Sequence, residues 1–488
     1  MHESIQKKAI NATKWSAIIN ILRKLISPIT NMILARLLAP EIFGVVATLT
    51  MVVSFADIFT DAGLQKFLIQ HEFIDEDDLY KSASVAFWTN FLLSVFLWII
   101  IFIFKDSIAY LVGSDGYGVQ LAVISISIPL LSFSSIQQAI FKRNFDFKAM
   151  FIPSIINAII PLVITVPIAY FTHSCWSLII GTLVANLSDA ILLTLKSKWK
   201  PKFFYDFSRF KQMFAFSMWT LFEKLSVWLT LNIDIFILGN IISKYYLGLY
   251  KSGLNMVNQI SNLVVAVIVP VLFSTLSRLQ NDEIKYKKMF NFFQKESSII
   301  LVPMCVGMFI YRDVVTWILL GNNWMEASLL IGTNGLIQVF IILIANFASE
   351  VYRSKGKPKI SFLVQIIYVL VFIPLIYYSS FYNFKILVMV RFCASVIFVC
   401  MHLIFLKLKF NFSIFNHFKN MKYPILSSMI MAIFGYFIQK LFSNMIGKSL
   451  TIILCIIIYF SVLLLFKESR EDIKYILKKV GIKKKVKN

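Results

Sequence analysis

Charged residues are scarce in this sequence. Asp, Glu, Lys and Arg together make up 15% of its 488 residues, whereas a soluble chain carries about a quarter. The chain is instead 58% hydrophobic. Apolar runs of about twenty residues recur along it, each long enough for a helix to cross a hydrocarbon core of about 30 Å, and the short alternating segments of a membrane barrel are missing. The composition excludes an ordinary soluble protein and predicts an all-α integral membrane protein.

Cysteine and the common catalytic motifs are scarce as well. The five cysteines lack the paired spacing of a disulfide framework or a zinc site. The sequence contains neither the phosphate-binding G-x-x-x-x-G-K-[ST] loop nor the zinc-binding H-E-x-x-H. The DED triplet at 75–77 stands in a short loop without a catalytic domain around it. We therefore predict no catalytic residues, no cofactor and no metal site.

The apolar runs predict about fourteen membrane-spanning helices. The first run contains Arg23 and Lys24 and leads to no small-residue cleavage site, which favours a retained helix over a signal peptide. The predicted spans are 15–35, 41–61, 82–104, 118–140, 148–171, 174–195, 210–233, 246–273, 290–311, 327–350, 360–379, 385–406, 423–443 and 449–466.

Basic residues outnumber acidic ones and give the chain a formal net charge of +23. If the N-terminus is cytoplasmic, most Lys and Arg residues fall in cytoplasmic loops and tails and few in the outer loops, as the positive-inside rule requires. This distribution predicts that both termini are cytoplasmic, and it explains the charge without nucleic-acid binding. We expect the basic tail at 467–488 to meet anionic lipid headgroups.

The sequence repeats itself. An offset of 204 residues places Trp15 on Trp219, Leu25 on Leu229, Leu34 on Leu238 and Gly44 on Gly248, and an offset of 211 places the loop QQAIFKRNFDFK on ASEVYRSKGKPK. Six spans separate the copies, so both enter the membrane in the same direction. We predict two pseudo-symmetric six-helix lobes at 1–200 and 201–410, then helices 13 and 14 at 411–466 and the tail at 467–488.

Polar side chains form stripes on spans one, two, seven and eight, which the repeat makes equivalent. Steps of three and four residues put each stripe on one helix face. Such side chains usually face protein or a water-filled cavity, so we predict a hydrophilic cavity between the lobes. Its predicted lining is Asn20, Arg23, Lys24 and Asn31 from the first span, Asp57 and Asp61 from the second, Glu223, Lys224 and Asp234 from the seventh, and Asn255, Asn258, Gln259 and Asn262 from the eighth.

The charged residues of this lining allow two interpretations. Arg23 and Lys24 are adjacent cations that suit a phosphate group. Asp57 and Asp61 either neutralise these cations in structural ion pairs or tune them and relay a coupling proton.

The remaining polar residues are equally open. Asp234 and the amides of the eighth span can bind sugar hydroxyls or water, or can join neighbouring helices by hydrogen bonds. Glu223 and Lys224 are adjacent and can neutralise each other. The tenth span carries a further polar stripe at Gln338, Asn346, Glu350 and Arg353.

Several segments carry a family resemblance. They are LARLLAPEIFGVVA and FADIFTDAGLQKFLIQ in the first half and NIDIFILGNIISKYYLGLYKSGLNM in the second. In this order and spacing they resemble the polysaccharide transporter (Wzx-like) family of bacterial lipid-linked oligosaccharide flippases, in particular the colanic acid and teichuronic acid exporters. The resemblance implies the multidrug/oligosaccharidyl-lipid/polysaccharide exporter fold, with two six-helix lobes in a V around a central cavity. Lys244 and Tyr245 depart from the Pro-Glu or similar pair that begins the eighth span in many relatives.

The resemblance also implies a function. Such proteins turn an undecaprenyl-diphosphate-linked glycan from the cytoplasmic to the outer leaflet of the bacterial inner membrane by alternating access. The glycan is used for O-antigen, capsule or exopolysaccharide. Implied partners are a coupling ion, H+ or Na+, membrane lipids, and the glycosyltransferases and polymerase of the same pathway. The resemblance also implies that helices 13 and 14, the last two predicted spans at 411–466, help to accommodate the lipid tail.

Two other functions compete with this expectation. A cation-coupled multidrug or small-molecule exporter of the same fold would need a compact ion site near Asp57 or Asp234. A membrane-embedded glycosyltransferase or glycan polymerase should have a large outer loop with catalytic polar residues, and the predicted outer loops are short.

Overall fold

The computed structural model describes most of the chain, and within that part it is helical almost throughout and forms no β-strand. Contacts between residues divide the chain into two units, residues 1–252 and residues 253–488, with the boundary inside one long helix. The structure describes the backbone of residues 2–61 and 63–471, and their side chains except those of residues 2–14, 17, 61, 215, 216, 219 and 223.

Where the structure describes the first unit, it contains eleven α-helices and the beginning of a twelfth. A π-helical segment, Pro161–Thr165, joins the eighth helix to the ninth. The helices are α1 (His2–Leu37), α2 (Pro40–Asp61), α3 (Leu64–Gln70), α4 (Glu76–Ile103), α5 (Lys105–Leu111), α6 (Gly118–Ile124), α7 (Ser127–Arg143), α8 (Phe147–Ile160), α9 (Val166–Thr172), α10 (Cys175–Lys196), α11 (Phe207–Ile241) and the start of α12 (Lys244–Arg278).

The second unit contains the rest of α12 and eight further helices in the described residues. A second π-helical segment, Ile341–Asn346, joins two of them. They are α13 (Glu283–Ile310), α14 (Arg312–Leu319), α15 (Ser328–Phe340), α16 (Phe347–Ser354), α17 (Pro358–Ser379), α18 (Phe384–Phe410), α19 (Ile414–Ile438) and α20 (Met445–Leu465).

Thirteen helical stretches among the described residues are long and apolar enough to cross a membrane, and each coincides with a predicted span. The remaining predicted span, 210–233, lies within α11, whose 35 residues extend about 52 Å at 1.5 Å per residue. The prediction of an all-α, multi-pass membrane protein with about fourteen spans is therefore confirmed.

The DED triplet belongs to a helix start. Asp75 is the N-cap of α4 and accepts a hydrogen bond from the backbone nitrogen of Asp78 at 2.7 Å, while Asp77 pairs with Lys81 at 2.7 Å. An N-cap of this kind is worth about 1 kcal/mol, so the triplet has a structural explanation. Aspartate caps recur at Asp146 of α8, Asp206 of α11 and Asp282 of α13.

The repeat is visible in the helix boundaries. Helix α1 ends at Leu37 and α11 at Ile241, and α2 begins at Pro40 and α12 at Lys244, each pair 204 residues apart. Lys244 takes the position of Pro40, and its Nζ donates to the carbonyl of Gly239 at 3.2 Å. A cation is favourable there because Gly239 lies in the last turn of α11, so the departure from Pro-Glu leaves the turn intact.

Two repeat-equivalent glycines lie against each other where α2 and α12 begin. A Cβ on Gly44 would collide with the backbone carbonyl of Lys244, and a Cβ on Gly248 would collide with that of Pro40. The contact is reciprocal, as expected where two copies meet across a local twofold. The backbones can approach this closely only because neither glycine has a side chain.

Candidate functional site

Helices α1, α8 and α10 bring a cation, an amide and a carboxylate together in the first unit. Helix α1 packs on α8, and α8 packs on α10. The Arg23 Nη2 atom lies 3.5 Å from Asn157 Oδ1, and Asn157 Nδ2 donates at 3.1 Å both to Asp189 Oδ2 and to the carbonyl of Ala185. We refer to Arg23, Asn157 and Asp189 as the Arg23 network.

The network orients Arg23 without enclosing it. Asn157 is half-buried and is held from behind by α10, whereas the Arg23 side chain is exposed. Asp189 accepts a hydrogen bond from the same amide on the side of α10 and so places a carboxyl group in the network. A guanidinium has five N–H donors and Asn157 takes one of them, so Arg23 can grip an anion while the amide holds its position.

The sequence analysis missed Asn157 and Asp189. Asn157 is the only amide side chain in the span Phe147–Thr172, and Asp189 is the only carboxylate in the span Cys175–Lys196. A search for ionisable residues in every span would have found Asp189. The contact with Arg23 depends on how three helices pack and is not visible in any one stripe.

The other predicted residues of α1 lie along the same helix. Lys24 and Asn31 are half-buried, while Asn20 is exposed and its Nδ2 atom lies 3.5 Å from Ser16 Oγ. The role of Asn20, Lys24 and Asn31 in substrate binding therefore stays a prediction.

On α2, Asp57 is half-buried and its Oδ1 atom accepts a hydrogen bond from Thr60 Oγ1 at 3.1 Å. The side chain of Asp61 lies outside the described residues. Ser54 of the same stripe accepts a hydrogen bond from Trp228 Nε1 of α11 at 2.9 Å, so part of this stripe joins two helices. The pairing of Asp57 and Asp61 with the cations of α1 stays a prediction.

On α11, the side chain of Glu223 lies outside the described residues, and Lys224 is half-buried. Asp234 is 4% exposed and accepts a hydrogen bond from Tyr250 Oη of α12 at 2.8 Å. This contact is a buried hydrogen bond between helices, the second of the two interpretations given for Asp234. Its role as a sugar ligand stays a prediction.

Helix α12 carries an uncharged polar face in the second unit. Asn255, Asn258 and Asn262 are exposed and recur at steps of three and four residues. Asn258 Oδ1 accepts a hydrogen bond from Gln338 Nε2 of α15 at 2.7 Å. Gln259 is half-buried, and its Oε1 atom has no hydrogen-bond partner among the described residues. We refer to the five amide side chains together as the amide face: Asn255, Asn258, Gln259, Asn262 and Gln338.

Apolar grooves accompany the polar residues in both units. One of about 400 Å³ lies between α13, α19 and α20 and is lined by residues such as Met304, Met431 and Phe460. Another of about 450 Å³ lies between α2, α4, α5 and α11, with Phe59 and Ile233 in its walls. Among the described residues, no group of three or more His, Cys, Asp and Glu side chains could hold a metal ion.

The chain is similar to known polysaccharide biosynthesis proteins. Residues 33–329 match the family described as "Polysaccharide biosynthesis protein". An "Uncharacterized membrane protein in cps region" of Klebsiella pneumoniae is 24% identical over 402 residues, 78% of either chain. The "Lipopolysaccharide biosynthesis protein WzxC" of Escherichia coli K12 is 20% identical over 383 residues, 76% of this chain and 75% of that protein.

The fold has a solved counterpart. The structure titled "Lipid II flippase MurJ, inward closed conformation" matches with a TM-score of 0.75 at 17% identity and covers 93% of this chain and 98% of that one. At this identity the likeness establishes the fold alone.

Proposed function

Since this chain belongs to the polysaccharide biosynthesis protein family, we propose that it moves undecaprenyl-diphosphate-linked glycan units from the cytoplasmic to the outer leaflet of the bacterial inner membrane. The chain is a Wzx-like polysaccharide exporter, similar to WzxC, with the fold of a flippase. The proposal has four parts. The cargo is linked to a lipid, it moves outward, the two lobes give it alternating access, and both termini are cytoplasmic.

The observation that carries the proposal is the Arg23 network. A diphosphate cannot cross hydrocarbon without replacement for its hydration. An exposed arginine in a membrane-spanning helix is costly and usually functional, and a guanidinium binds phosphate oxygens in pairs. Asn157 and Asp189 hold Arg23 in place, so the network suits a receptor for the diphosphate.

The amide face suits the glycan. Asn and Gln side chains both donate and accept hydrogen bonds, as sugar hydroxyls do. Because they are uncharged, they suit a neutral glycan. Asn255, Asn258 and Asn262 are exposed on one side of α12, where they can replace water around the sugars.

The groove between α13, α19 and α20 suits the polyprenyl chain. Its lining is apolar, and α19 and α20 are the helices for which the family resemblance implies a role in holding the lipid tail. A groove of this kind keeps the tail in an apolar environment while the headgroup crosses through water.

A coupling ion, H+ or Na+, remains part of the proposal, with Asp57 and Asp61 as its candidate ligands. Asparagine at both positions should then abolish the dependence of transport on pH or on the sodium gradient. Unchanged transport with an unchanged ion dependence would remove both aspartates from this role. Glycosyltransferases that load the lipid and a polymerase that consumes the glycan complete the proposed pathway.

The test is the sidedness of the lipid-linked glycan in cells depleted of this protein. The glycan is probed on spheroplasts with a membrane-impermeant lectin or oxidant. We expect depletion to trap it on the cytoplasmic leaflet, the wild type to release it, and Arg23→Ala to release it at least tenfold more slowly. Arg36→Ala is the matched control, because Arg36 is another exposed arginine of α1.

Normal sidedness in depleted cells would overturn the proposal. If the same cells became sensitive to cationic drugs, a small-molecule exporter of this fold would take its place. Equal loss in Arg23→Ala and Arg36→Ala would keep the flippase but remove the diphosphate from the Arg23 network.

A further inference from the structure

A basic cleft of about 200 Å³ lies in the second unit, away from the amide face and the apolar groove. Three segments form it: the start of α13, the turn between α16 and α17, and the end of α18 with the turn that follows it. The positive-inside distribution predicts all three to be cytoplasmic. The cleft is lined by Glu283, Tyr286, Lys287, Lys355, Lys357, Lys409, Phe410, Asn411 and Phe412.

Aromatic rings hold three of the four lysines. The Nζ atom of Lys355 lies 4.6 Å from the centre of the Tyr286 ring, that of Lys357 lies 5.6 Å from Phe410, and that of Lys287 lies 5.8 Å from Phe412. Each distance lies within the range of a cation–π contact.

The rings are themselves fixed. Tyr286 is 1% exposed and Phe412 is 6% exposed. Tyr286 Oη and Ser354 Oγ are 2.6 Å apart, which ties α13 to α16. The ammonium groups of Lys355 and Lys287 therefore lie against rings that are buried in the protein core.

The charges in the cleft are not balanced. Lys287 pairs with Glu283 at 3.5 Å, and Lys355 Nζ donates to the carbonyl of Gln280 at 2.5 Å. Within the described part of the chain, Lys357 and Lys409 form no ion pair with a carboxylate. Four lysines thus face a single glutamate, so the cleft attracts anions.

The repeat supplies a comparison inside the molecule. Gly356, between the cleft residues Lys355 and Lys357, and Phe145 in the equivalent loop of the first unit are 211 residues apart, and both have positive φ, 68° and 57°. In the first unit, however, Arg143 donates to the carbonyls of Leu68 and His71 at 2.9 and 2.6 Å. The offset of 211 places Asn144 and Asp146 on Lys355 and Lys357. The same turn therefore forms without these two lysines, so the basic cleft is not a requirement of the turn.

We propose that the basic cleft binds a phosphate group at the cytoplasmic surface of the membrane. Lysine ammonium groups bind phosphate as point charges. The cleft lies at the ends of the membrane-spanning helices α13, α17 and α18, where anionic phospholipid headgroups concentrate. A soluble phosphate compound is the alternative source of the same chemistry. The site is separate from the residues proposed to bind the exported glycan, so it stands or falls independently of the flippase function.

The experiment uses the full chain purified in detergent. Native mass spectrometry measures retained phosphatidylglycerol and, as a zwitterionic comparison, phosphatidylcholine, and calorimetry measures binding of inorganic diphosphate. The test variant is Lys357→Gln/Lys409→Gln. Its matched control is Lys359→Gln/Lys407→Gln, which removes the same charge from exposed lysines of the same two segments that do not line the cleft. The melting temperature of each variant confirms that it is folded.

We expect the wild type and the control to retain phosphatidylglycerol in preference to phosphatidylcholine, and the test variant to bind it at least tenfold more weakly. The same dependence with diphosphate and not with the lipid would identify a soluble ligand and uphold the phosphate site. Equal losses in the test and control variants would show that only overall charge matters and would overturn the proposal. Absence of binding to both probes in the wild type would overturn it as well.

Discussion

The pairs α1–α2 and α11–α12 are equivalent by the repeat, and their helix ends and starts lie 204 positions apart. The exposed polar side chains on α1 and on α12 nevertheless differ in charge. Helix α1 supplies the exposed cation Arg23, which Asn157 links to Asp189. The face of α12 supplies amides, and Asn258 of this face accepts a hydrogen bond from the amide of Gln338 on α15.

Two influences act on the residues of these helices: close packing restricts some positions, and binding of the cargo would select the side chains at others. Where α2 and α12 touch, a side chain on Gly44 or Gly248 would collide with backbone, so sterics keep the two copies alike. Positions exposed on the helices have no such constraint and can diverge. A cargo with an anionic end and a neutral glycan would draw a cation to α1 and amides to α12.

The largest expected effect tests the shared geometry. In Gly248→Ala the new methyl group would meet the carbonyl of Pro40, and overpacking of this kind costs about 1–3 kcal/mol or more. That cost exceeds the gain of about 1 kcal/mol from helix propensity. We expect a lower melting temperature and a lower yield of folded protein in detergent. Gly307→Ala is the control, since nothing lies within 4 Å of a Cβ at that position of α13, and a Gly248→Ala protein as stable as this control would show that the contact is not tight.

The second effect tests the difference in charge. A hydrogen bond to a charged group is worth about 1.5–3 kcal/mol and a neutral one about 1 kcal/mol. Arg23→Ala should therefore slow glycan transport roughly ten- to a hundredfold, and Asn258→Ala only about fivefold. Both rates come from the spheroplast measurement. Similar losses in the two variants would mean that the two copies do not divide the cargo between them.

Much of the fold could be predicted because the bilayer imposes it. Apolar runs of the required length located every span, and one offset aligned Leu37 with Ile241 and Pro40 with Lys244 at the helix ends. The same offset paired Gly44 with Gly248 in the sequence. It could not show that the two glycines touch, because that depends on how the helices pack.

The candidate site was only partly predictable. Periodicity along one helix identified Arg23 and the amide face. It missed Asn157 and Asp189, because neither belongs to a repeated polar stripe and each joins the site only through contacts between α1, α8 and α10. It also treated Asp234 as an open alternative, and the hydrogen bond with Tyr250 is visible only in three dimensions.

A third, smaller effect tests the hydrogen bond by which Asn157 positions Arg23. Asn157→Leu removes the amide between Arg23 and Asp189, so Arg23 should be held less precisely and transport should slow several-fold. A double-mutant cycle of Asn157→Leu with Arg23→Ala checks this, since residues in one network are not additive. If transport per folded molecule were unchanged while the melting temperature fell, Asn157 would only stabilise the helix contact.

The smallest effect tests the amide face itself. Gln338→Met keeps the size of the side chain and removes its hydrogen bond to Asn258, a neutral bond worth about 1 kcal/mol. The freed Asn258 amide remains available to sugar hydroxyls, so transport should change less than about threefold. Gln338→Glu places a carboxylate at the same position, where it meets no phosphate if the diphosphate sits at Arg23. Gln338 is 7% exposed, so a carboxylate there also costs folding stability. Transport per folded molecule should nevertheless be little slower than in Gln338→Met. A far larger loss in Gln338→Glu would mean that the diphosphate passes this face, and the division of the cargo between the two copies would be wrong.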